Sequence, residues 1–151
     1  MSLNEEVDLL RRIPLFSKIE PSKLKLLAFT SERLTFHAGQ SLCVQGEMGD
    51  AAFVIIGGQC DVTIDTAQGP LTVAKVGQDD FVGEIAILCD VPRTATVTAT
   101  DTVTVLKITK DLFFRMVSEF PQMGVEIMRE LAARLERTTN QLREERSGAA
   151  G

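Results

Sequence analysis

The segment GEIAILCDVPRTATV, residues 83–97, combines two apolar runs with an isolated acid and an isolated base. Glu84 stands at its start and Arg93 near its end, with Asp90 as the only other charged residue between them. The first run has the composition of a buried turn and the second that of a core strand. Two opposite charges in such surroundings indicate either an ion pair or a binding site.

The residue types in this segment fit a pocket for a phosphorylated sugar. Gly83 permits a positive φ or a close backbone approach, and residues 84–88 can form one helical turn whose exposed amides hold an anion. The planar guanidinium of Arg93 suits a phosphate better than a lysine does, and Glu84 offers two acceptor oxygens for sugar hydroxyls. The alternative is an ordinary Glu84–Arg93 ion pair at the rim of a barrel, worth about 0–1 kcal/mol. The residues alone leave both interpretations open.

The chain before and after this segment changes from helical to strand-like spacing. Leu3–Arg12 has helical spacing, and Pro21 is well placed to begin a second helix. From Arg33 onward, short apolar runs such as the alternating CDVTID are separated by glycines at intervals typical of hairpins. Residues 94–108 predict two β-branched strands joined near Thr100–Asp101. Many short strands with frequent turns indicate a β-sandwich or barrel.

Helical spacing returns at Lys110, and Phe120–Pro121 breaks it before a long last helix. We therefore expect one structural domain that consists of an N-terminal helical entry, a β-barrel and C-terminal helices, followed by a short frayed tail. The predicted bounds of these four parts are 1–30, 31–109, 110–146 and 147–151.

The last helix carries a narrow apolar stripe with the spacing of a coiled-coil seam. Its members are three or four residues apart: Met128, Leu131, Leu135, Thr138 and Leu142. Charged residues flank the stripe, which favours a partner helix; packing on its own barrel is the alternative. Thr138 is a polar residue in this seam, and Thr139 lies beside it. Either a threonine is simply tolerated in the seam, or the two hydroxyls hydrogen-bond a group enclosed between the barrel and the seam. We predict a homodimer through residues 121–145.

The composition narrows the classes of function. A net charge of −5 opposes non-specific binding to nucleic acid, and no apolar run approaches the roughly 20 residues of a membrane span. The acidic N-terminus lacks the layout of a secretory signal, so we expect a cytoplasmic protein. The cysteines Cys43, Cys60 and Cys89 are widely spaced, and His37 is the only histidine. We therefore expect no metal site, no catalytic residue and no enzymatic activity.

Residues 81–97 resemble the phosphate-binding cassette of cyclic-nucleotide-binding domains. That family's pattern is F-G-E-[IL]-A-L-L, a few residues, then P-R-[TSA]-A-T-V, and residues 83–88 and 92–97 match its spacing without a gap. LLRRIPLFSKI is similar to the family's helical entry, and VQGEMGDAAFVIIGGQCDV to its glycine-rich hairpin, so the resemblance extends from Leu9 to about Leu142. It implies a mainly β fold, an eight-stranded antiparallel, jelly-roll-like β-roll. N-terminal helices and a long C-terminal helix that closes over the base flank this roll.

The resemblance also implies a role for the residues of the cassette. Arg93 is expected to pair with the exocyclic oxygens of a cyclic phosphate, and Glu84 to accept a hydrogen bond from the ribose 2′-OH. The amides of Ala86 and of Thr94 or Ala95 complete the phosphate cradle. Gly83 lets the backbone come close. The predicted ligand contacts in the cassette are Gly83, Glu84, Ile85, Ala86, Arg93, Thr94 and Ala95.

The last helix resembles that of bacterial catabolite-activator proteins when Phe120–Pro121 is taken as the shared start. Thr138 and Thr139 then lie where that family places two hydroxyls against the adenine, one of them from the partner subunit. Arg134 lies where that family has an arginine near the ribose-phosphate. Those activators continue into a helix-turn-helix, whereas this chain stops at Gly151. We therefore expect a sensor domain without direct DNA binding, acting on a regulated protein that the sequence does not identify. The alternative is that the regulated part belongs to a longer protein of which this sequence is a piece.

Two cyclic nucleotides compete as the ligand. In some members of the family a hydroxyl at the position of Thr94 reaches the guanine amino group, but many bacterial members with Ser or Thr there bind cyclic AMP. The Thr138–Thr139 pair favours cyclic AMP over cyclic GMP. The resulting hypothesis is a cytosolic second-messenger receptor module that transmits binding through its C-terminal helix. The alternative is a dimeric adaptor, or a redox or other-effector sensor, with a degenerate nucleotide pocket on the same fold.

Overall fold

The computed structural model describes the backbone of residues 2–150 and their side chains, apart from those of Arg134 and residues 146–150. The helices are α1 (Leu3–Arg12), α2 (Pro21–Thr30), α3 (Glu84–Cys89), α4 (Lys110–Glu119) and α5 (Pro121–Ala150). The strands are β1 (Glu32–Phe36), β2 (Ser41–Cys43), β3 (Ala51–Gly57), β4 (Cys60–Thr66), β5 (Gly69–Val76), β6 (Phe81–Val82), β7 (Thr96–Ala99) and β8 (Val103–Thr109). A short 3₁₀ turn, Pro14–Phe16, lies between α1 and α2.

The strands form two four-stranded sheets. Their orders are β1-β8-β3-β6 and β2-β7-β4-β5, with antiparallel pairing throughout. The first sheet lies between the helices and the second sheet, and together the two sheets enclose the interior of a roll. This confirms the predicted eight-stranded antiparallel β-roll with N-terminal helices and a long C-terminal helix.

Local chemistry explains where the helices begin. The side chain of Ser2 accepts a hydrogen bond from the amide of Glu5 at 3.2 Å, so it caps the start of α1. Thr109 caps α4 in the same way, accepting from the amide of Leu112 at 3.1 Å. Pro21 occupies the first turn of α2, where its missing N–H costs nothing. The predicted helix starts are confirmed at these positions.

Strand β3 connects the two apolar cores. Ala52 and Val54 belong to the core shared with the helices, whereas Ala51, Phe53 and Ile55 belong to the core inside the roll. Successive side chains of a strand point to opposite faces, so a strand buried on both faces needs an uninterrupted apolar run. This is why AAFVII lacks the polar alternation of the outer strands.

The CDVTID segment forms β4 as predicted, but its burial alternates less cleanly than the sequence suggests. Cys60 is buried, whereas Asp61, Val62, Thr63 and Ile64 are all half-buried. Two features account for this: the register shifts between Val62 and Thr63, and the neighbouring edge strand β5 is itself largely exposed. The hairpin is therefore only partly covered on either face.

Helix α5 packs on the domain only through its first turns. Met123 and Ile127 are buried in the helical core, and Leu131 packs partly against it. Met128, Leu135 and Leu142 are 63%, 69% and 60% exposed, so most of the apolar stripe does not pack on its own barrel. The helix continues to Ala150, beyond the end predicted at residue 146. Among the described helices, none has the length and apolar character that a membrane crossing requires.

Candidate functional site

The segment from Gly83 to Asp90 forms the short helical turn expected from the sequence. Gly83 has φ +83° and precedes the six-residue helix α3, so the left-handed backbone that favours glycine occurs where it was predicted. Asp90 ends the helix with φ +56°. Its carboxylate accepts a hydrogen bond from Lys110 Nζ at 2.6 Å, and this bond and the charge of Lys110 lower the pKa of Asp90. The turn is thereby attached to the first residue of α4.

The backbone of Arg93 is held by the glycine-rich turn that precedes β3. The amide of Arg93 donates to the carbonyl of Glu47 at 2.8 Å, and the carbonyl of Arg93 accepts from the amide of Gly46 at 2.9 Å. A neighbouring bridge pairs Met48 with Pro92. Residues far apart in sequence therefore determine the direction in which the Arg93 side chain leaves the backbone.

The guanidinium of Arg93 lies inside the protein. Its side chain is 8% exposed, and among the described side chains it is the only charged one that is buried. Nη1 donates to the carbonyl of Gly83 at 3.0 Å and Nη2 to the carbonyl of Ala51 at 2.7 Å. Its Cζ is also 6.0 Å from the ring centre of Phe53. A buried cation requires such acceptors, so Arg93 is not a residue of an exposed rim.

A cavity of about 240 Å³ lies beside this guanidinium. The seven predicted cassette contacts all line it: Gly83, Glu84, Ile85, Ala86, Arg93, Thr94 and Ala95. Ile85 and Thr94 are exposed and mark its mouth, whereas Ala86 and Arg93 are buried. Arg93 and Glu84 are the charged residues of the lining. The cavity therefore offers one cation and one carboxylate to a ligand, in otherwise mostly apolar surroundings.

Sequence reasoning missed part of the lining. The further lining residues are Cys43, Val62, Val76, Phe81, Val82 and Val97. Phe81, Val82 and Val97 belong to the cassette, and the alternation in CDVTID gave a usable signal for Val62. Cys43 and Val76 come from strands distant in sequence, so only the pairing of β2, β7, β4 and β5 brings them to the cavity. The carbonyl of Ala51 likewise had no signal in the sequence.

Two of the three predicted contacts on the last helix are not brought to this cavity. Thr138 and Thr139 are exposed on α5, and neither is among the described residues that line the cavity. The hydroxyl of Thr139 donates to the carbonyl of Leu135 at 2.9 Å within the helix. The side chain of Arg134 lies outside the described residues. Contact between these three residues and a ligand stays a prediction.

Two of the three cysteines are buried thiols with raised pKa values. Burial raises the pKa of Cys43, the nearby positive charge of Arg93 lowers it, and the negative charge of Glu84 raises it. Burial, followed by the negative charge of Asp101, raises the pKa of Cys60 to about 11. Cys89 is exposed at the end of α3. Because the thiolate is the reactive form, Cys43 and Cys60 have the surroundings of inert structural cysteines.

The cavity and its arginine lie within a region that matches a known family. The family model described as the cyclic nucleotide-binding domain matches residues 33–120, more than half of the chain. The chain belongs to this family. The eight-stranded roll, the cassette and the buried Arg93 are therefore its version of a cyclic nucleotide-binding domain.

Two curated relatives are regulatory proteins. Over 89% of its length the chain is 29% identical to the CRP-like cAMP-activated global transcriptional regulator of Mycobacterium tuberculosis, of which it covers 61%. Over 72% of its length it is 32% identical to the cAMP-dependent protein kinase regulatory subunit of Aspergillus niger, of which it covers 26%. The chain thus spans less than two thirds of the length of either relative.

Solved structures share the fold over most of the chain. The N-terminal domain of a transcriptional regulator from Streptomyces coelicolor A3(2) has a TM-score of 0.79 at 28% identity. That similarity covers 89% of this chain and 94% of the other. A cyclic nucleotide-binding domain from Methylobacillus flagellatus KT has a TM-score of 0.78 at 21% identity, covering 95% and 83% of the two chains. These comparisons confirm the β-roll with its flanking helices.

Thiol labelling tests the assignment of the cysteines. In the folded protein at neutral pH, iodoacetamide should modify Cys89 rapidly and leave Cys43 and Cys60 intact, because both are buried and have raised pKa values. Peptide mass spectrometry would locate the label, with a sample unfolded in guanidinium chloride as the control in which all three thiols react. Modification of Cys43 or Cys60 at the rate of Cys89 would instead favour a thiol sensor.

Proposed function

We propose that this chain is a cytoplasmic second-messenger receptor module that binds a cyclic nucleotide, with cyclic AMP preferred over cyclic GMP. In this proposal binding is transmitted through α5 to a regulated protein, without catalysis. The observation that carries the proposal is the buried guanidinium of Arg93 beside a cavity that all seven predicted cassette residues line. Membership of the cyclic nucleotide-binding domain family supports it.

The chemistry of the cavity supports a phosphodiester attached to a sugar. A guanidinium has five N–H groups, of which the bonds to the carbonyls of Gly83 and Ala51 use two. The remaining donors of Arg93 can face an anion, and a phosphate in a poorly hydrated cavity gains more from them than it would in water. Glu84 supplies acceptors for a sugar hydroxyl at the same cavity. A phosphate anion and a hydrogen-bonding sugar are two of the three parts of a cyclic nucleotide, and the base is the third.

The amides of the cassette complete this proposed site. Ala86 lies in the first turn of α3, where backbone N–H groups have no partner within the helix. Together with the amide of Thr94 or Ala95, it would bind the phosphate opposite Arg93. The apolar side chains of Val62, Val76 and Ile85 also line the cavity. Such a lining suits the flat apolar faces of a base better than a second charged group.

Removing either charged residue should weaken binding. In calorimetric titrations with cyclic AMP, Arg93→Ala should raise the Kd at least roughly thirtyfold, because loss of one partner of a buried charge pair costs about 2–5 kcal/mol. Glu84→Gln should raise it about tenfold or more, since a hydrogen bond to a charged group is worth about 1.5–3 kcal/mol. Arg115→Ala, at an exposed arginine of α4, is the matched control and should bind normally. Wild-type affinity in both cavity variants would contradict the proposal.

The preference for cyclic AMP is a separate expectation. Curated relatives in bacteria and fungi carry cAMP in their names, and the exposed Thr94 at the cavity mouth is the residue whose hydroxyl would favour guanine. Titration of the two nucleotides should give a lower Kd for cyclic AMP, and Thr94→Ala should preserve that order. A lower Kd for cyclic GMP that is lost in Thr94→Ala would overturn the preference.

The exposed stripe of α5 supports a homodimer as the form that transmits binding. Leu135 is 69% exposed and lies between Met128 and Leu142, so a second copy of α5 can bury all three side chains. A stripe this apolar and this narrow is the pattern of a helix–helix seam rather than of a solvated surface.

A charge in the stripe should separate the two chains. Leu135→Glu is expected to convert a dimer into a monomer, measured by sedimentation equilibrium, because the seam would then bury two like charges. Asn140→Glu adds the same charge on the other side of the helix, where residue 140 is exposed, and should leave the mass unchanged. A monomeric wild-type protein at high concentration, with and without nucleotide, would refute the dimer.

A further inference from the structure

Gly49 lies directly against the side chain of Arg93. A Cβ placed on Gly49 would be 2.3 Å from both Cζ and Nε of Arg93 and 2.8 Å from its Nη1. These are the three nearest atoms, and all belong to that one side chain. Carbon atoms in contact are normally about 3.5–4.0 Å apart. No side chain at residue 49 can therefore coexist with the guanidinium where it lies.

The backbone does not explain the glycine at this position. Gly46 and Gly83 have positive φ values, where other residues are strained, but Gly49 is not among the glycines with positive φ. Alanine could adopt the backbone conformation of residue 49 without that strain. The absence of a Cβ at Gly49 is therefore required by its neighbour, the Arg93 guanidinium, and not by the shape of the turn.

The guanidinium has little room to move away while keeping its bonds. Nη1 and Nη2 are held by the carbonyls of Gly83 and Ala51. Gly83 closes a second side, because a Cβ there would lie 2.5 Å from Nη1. A methyl group on residue 49 would push the end of Arg93 out of this enclosure. The guanidinium would then leave its two carbonyl acceptors, and an anion site depends on where the end of this side chain lies.

We propose that Gly49 is a positioning residue for the phosphate of the ligand. Because Gly49 has no side chain, the Arg93 guanidinium can occupy the space beside it and is held there. This inference rests on the proposed function, since it assumes that Arg93 binds the cyclic phosphate. It adds that the glycine-rich turn before β3 contributes to affinity without touching the ligand. The turn contributes in a second way, because the carbonyl of Glu47 and the amide of Gly46 also hold the Arg93 backbone.

The test compares two glycine-to-alanine substitutions. Gly49→Ala should raise the Kd for cyclic AMP about tenfold or more, the loss expected when a charge-assisted hydrogen bond is misplaced. Gly57→Ala is the matched control, because Gly57 has no positive φ and a Cβ there meets no atom within 4 Å. It should keep the wild-type Kd. Equal affinity of Gly49→Ala and the wild-type protein would overturn the inference.

A double-mutant cycle separates positioning from a merely structural role. Arg93→Ala removes the atoms that a methyl group at residue 49 would meet, so adding Gly49→Ala to it should not weaken binding further. If Gly49→Ala alone does not fold, the double variant should recover a cooperative thermal transition. Additive losses in Kd, or no such recovery, would contradict the inference. Wild-type binding by Arg93→Ala alone would instead refute the proposed function on which it rests.

Discussion

A buried positive charge is the constraint around which this domain is organised. Arg93 is 8% exposed, and leaving its buried charge without acceptors would destabilise the fold by several kcal/mol. The carbonyls of Gly83 and Ala51 supply those acceptors, so two segments that are distant in sequence must end beside the same side chain. Glycine at residues 49 and 83 then follows, because a Cβ at either position would overlap the guanidinium. One side chain thus accounts for the turn before β3, the start of α3 and the cavity between them.

The cassette and the turn before β3 both contact Lys110, the first residue of α4. These contacts could carry a displacement at the cavity to the C-terminal helices. Lys110 begins α4, and its amide donates to the carbonyl of Asp50 at 2.7 Å while its side chain contacts Asp90 at the end of α3. Asp50 directly precedes Ala51, whose carbonyl holds Arg93. A displacement of the cassette would therefore reach the first residue of α4 through two hydrogen bonds. Coupling along this route would require α4 or α5 to have two arrangements that the ligand distinguishes.

Local features of this domain were predictable, whereas contacts between distant segments were not. The positive φ of Gly83 and the caps and proline that start the helices depend on a few neighbouring residues, which the sequence displays directly. The cassette residues line one cavity because a single turn and the strand after it carry them. The acceptors of Arg93 and the lining residues Cys43 and Val76 depend instead on strand pairing, which a one-residue change of register would alter. The burial of β4 alternates less cleanly than its sequence for the same reason, since a register shift and an exposed edge strand do not appear in its own alternation.

Helix α5 shows how closely base recognition and dimerisation would be linked. Thr138 and Thr139, the predicted contacts to the base, are exposed on the same part of the helix as Leu135 and Leu142. Neither is among the described residues that line the cavity. Burying an apolar side chain of this size is worth about 1.5–3 kcal/mol, so a partner helix would gain several kcal/mol from the stripe. That energy would also hold Thr138 in the seam between the two helices. A ligand that contacted both helices at this seam would stabilise the pair, and the pairing would strengthen binding of the ligand by the same factor.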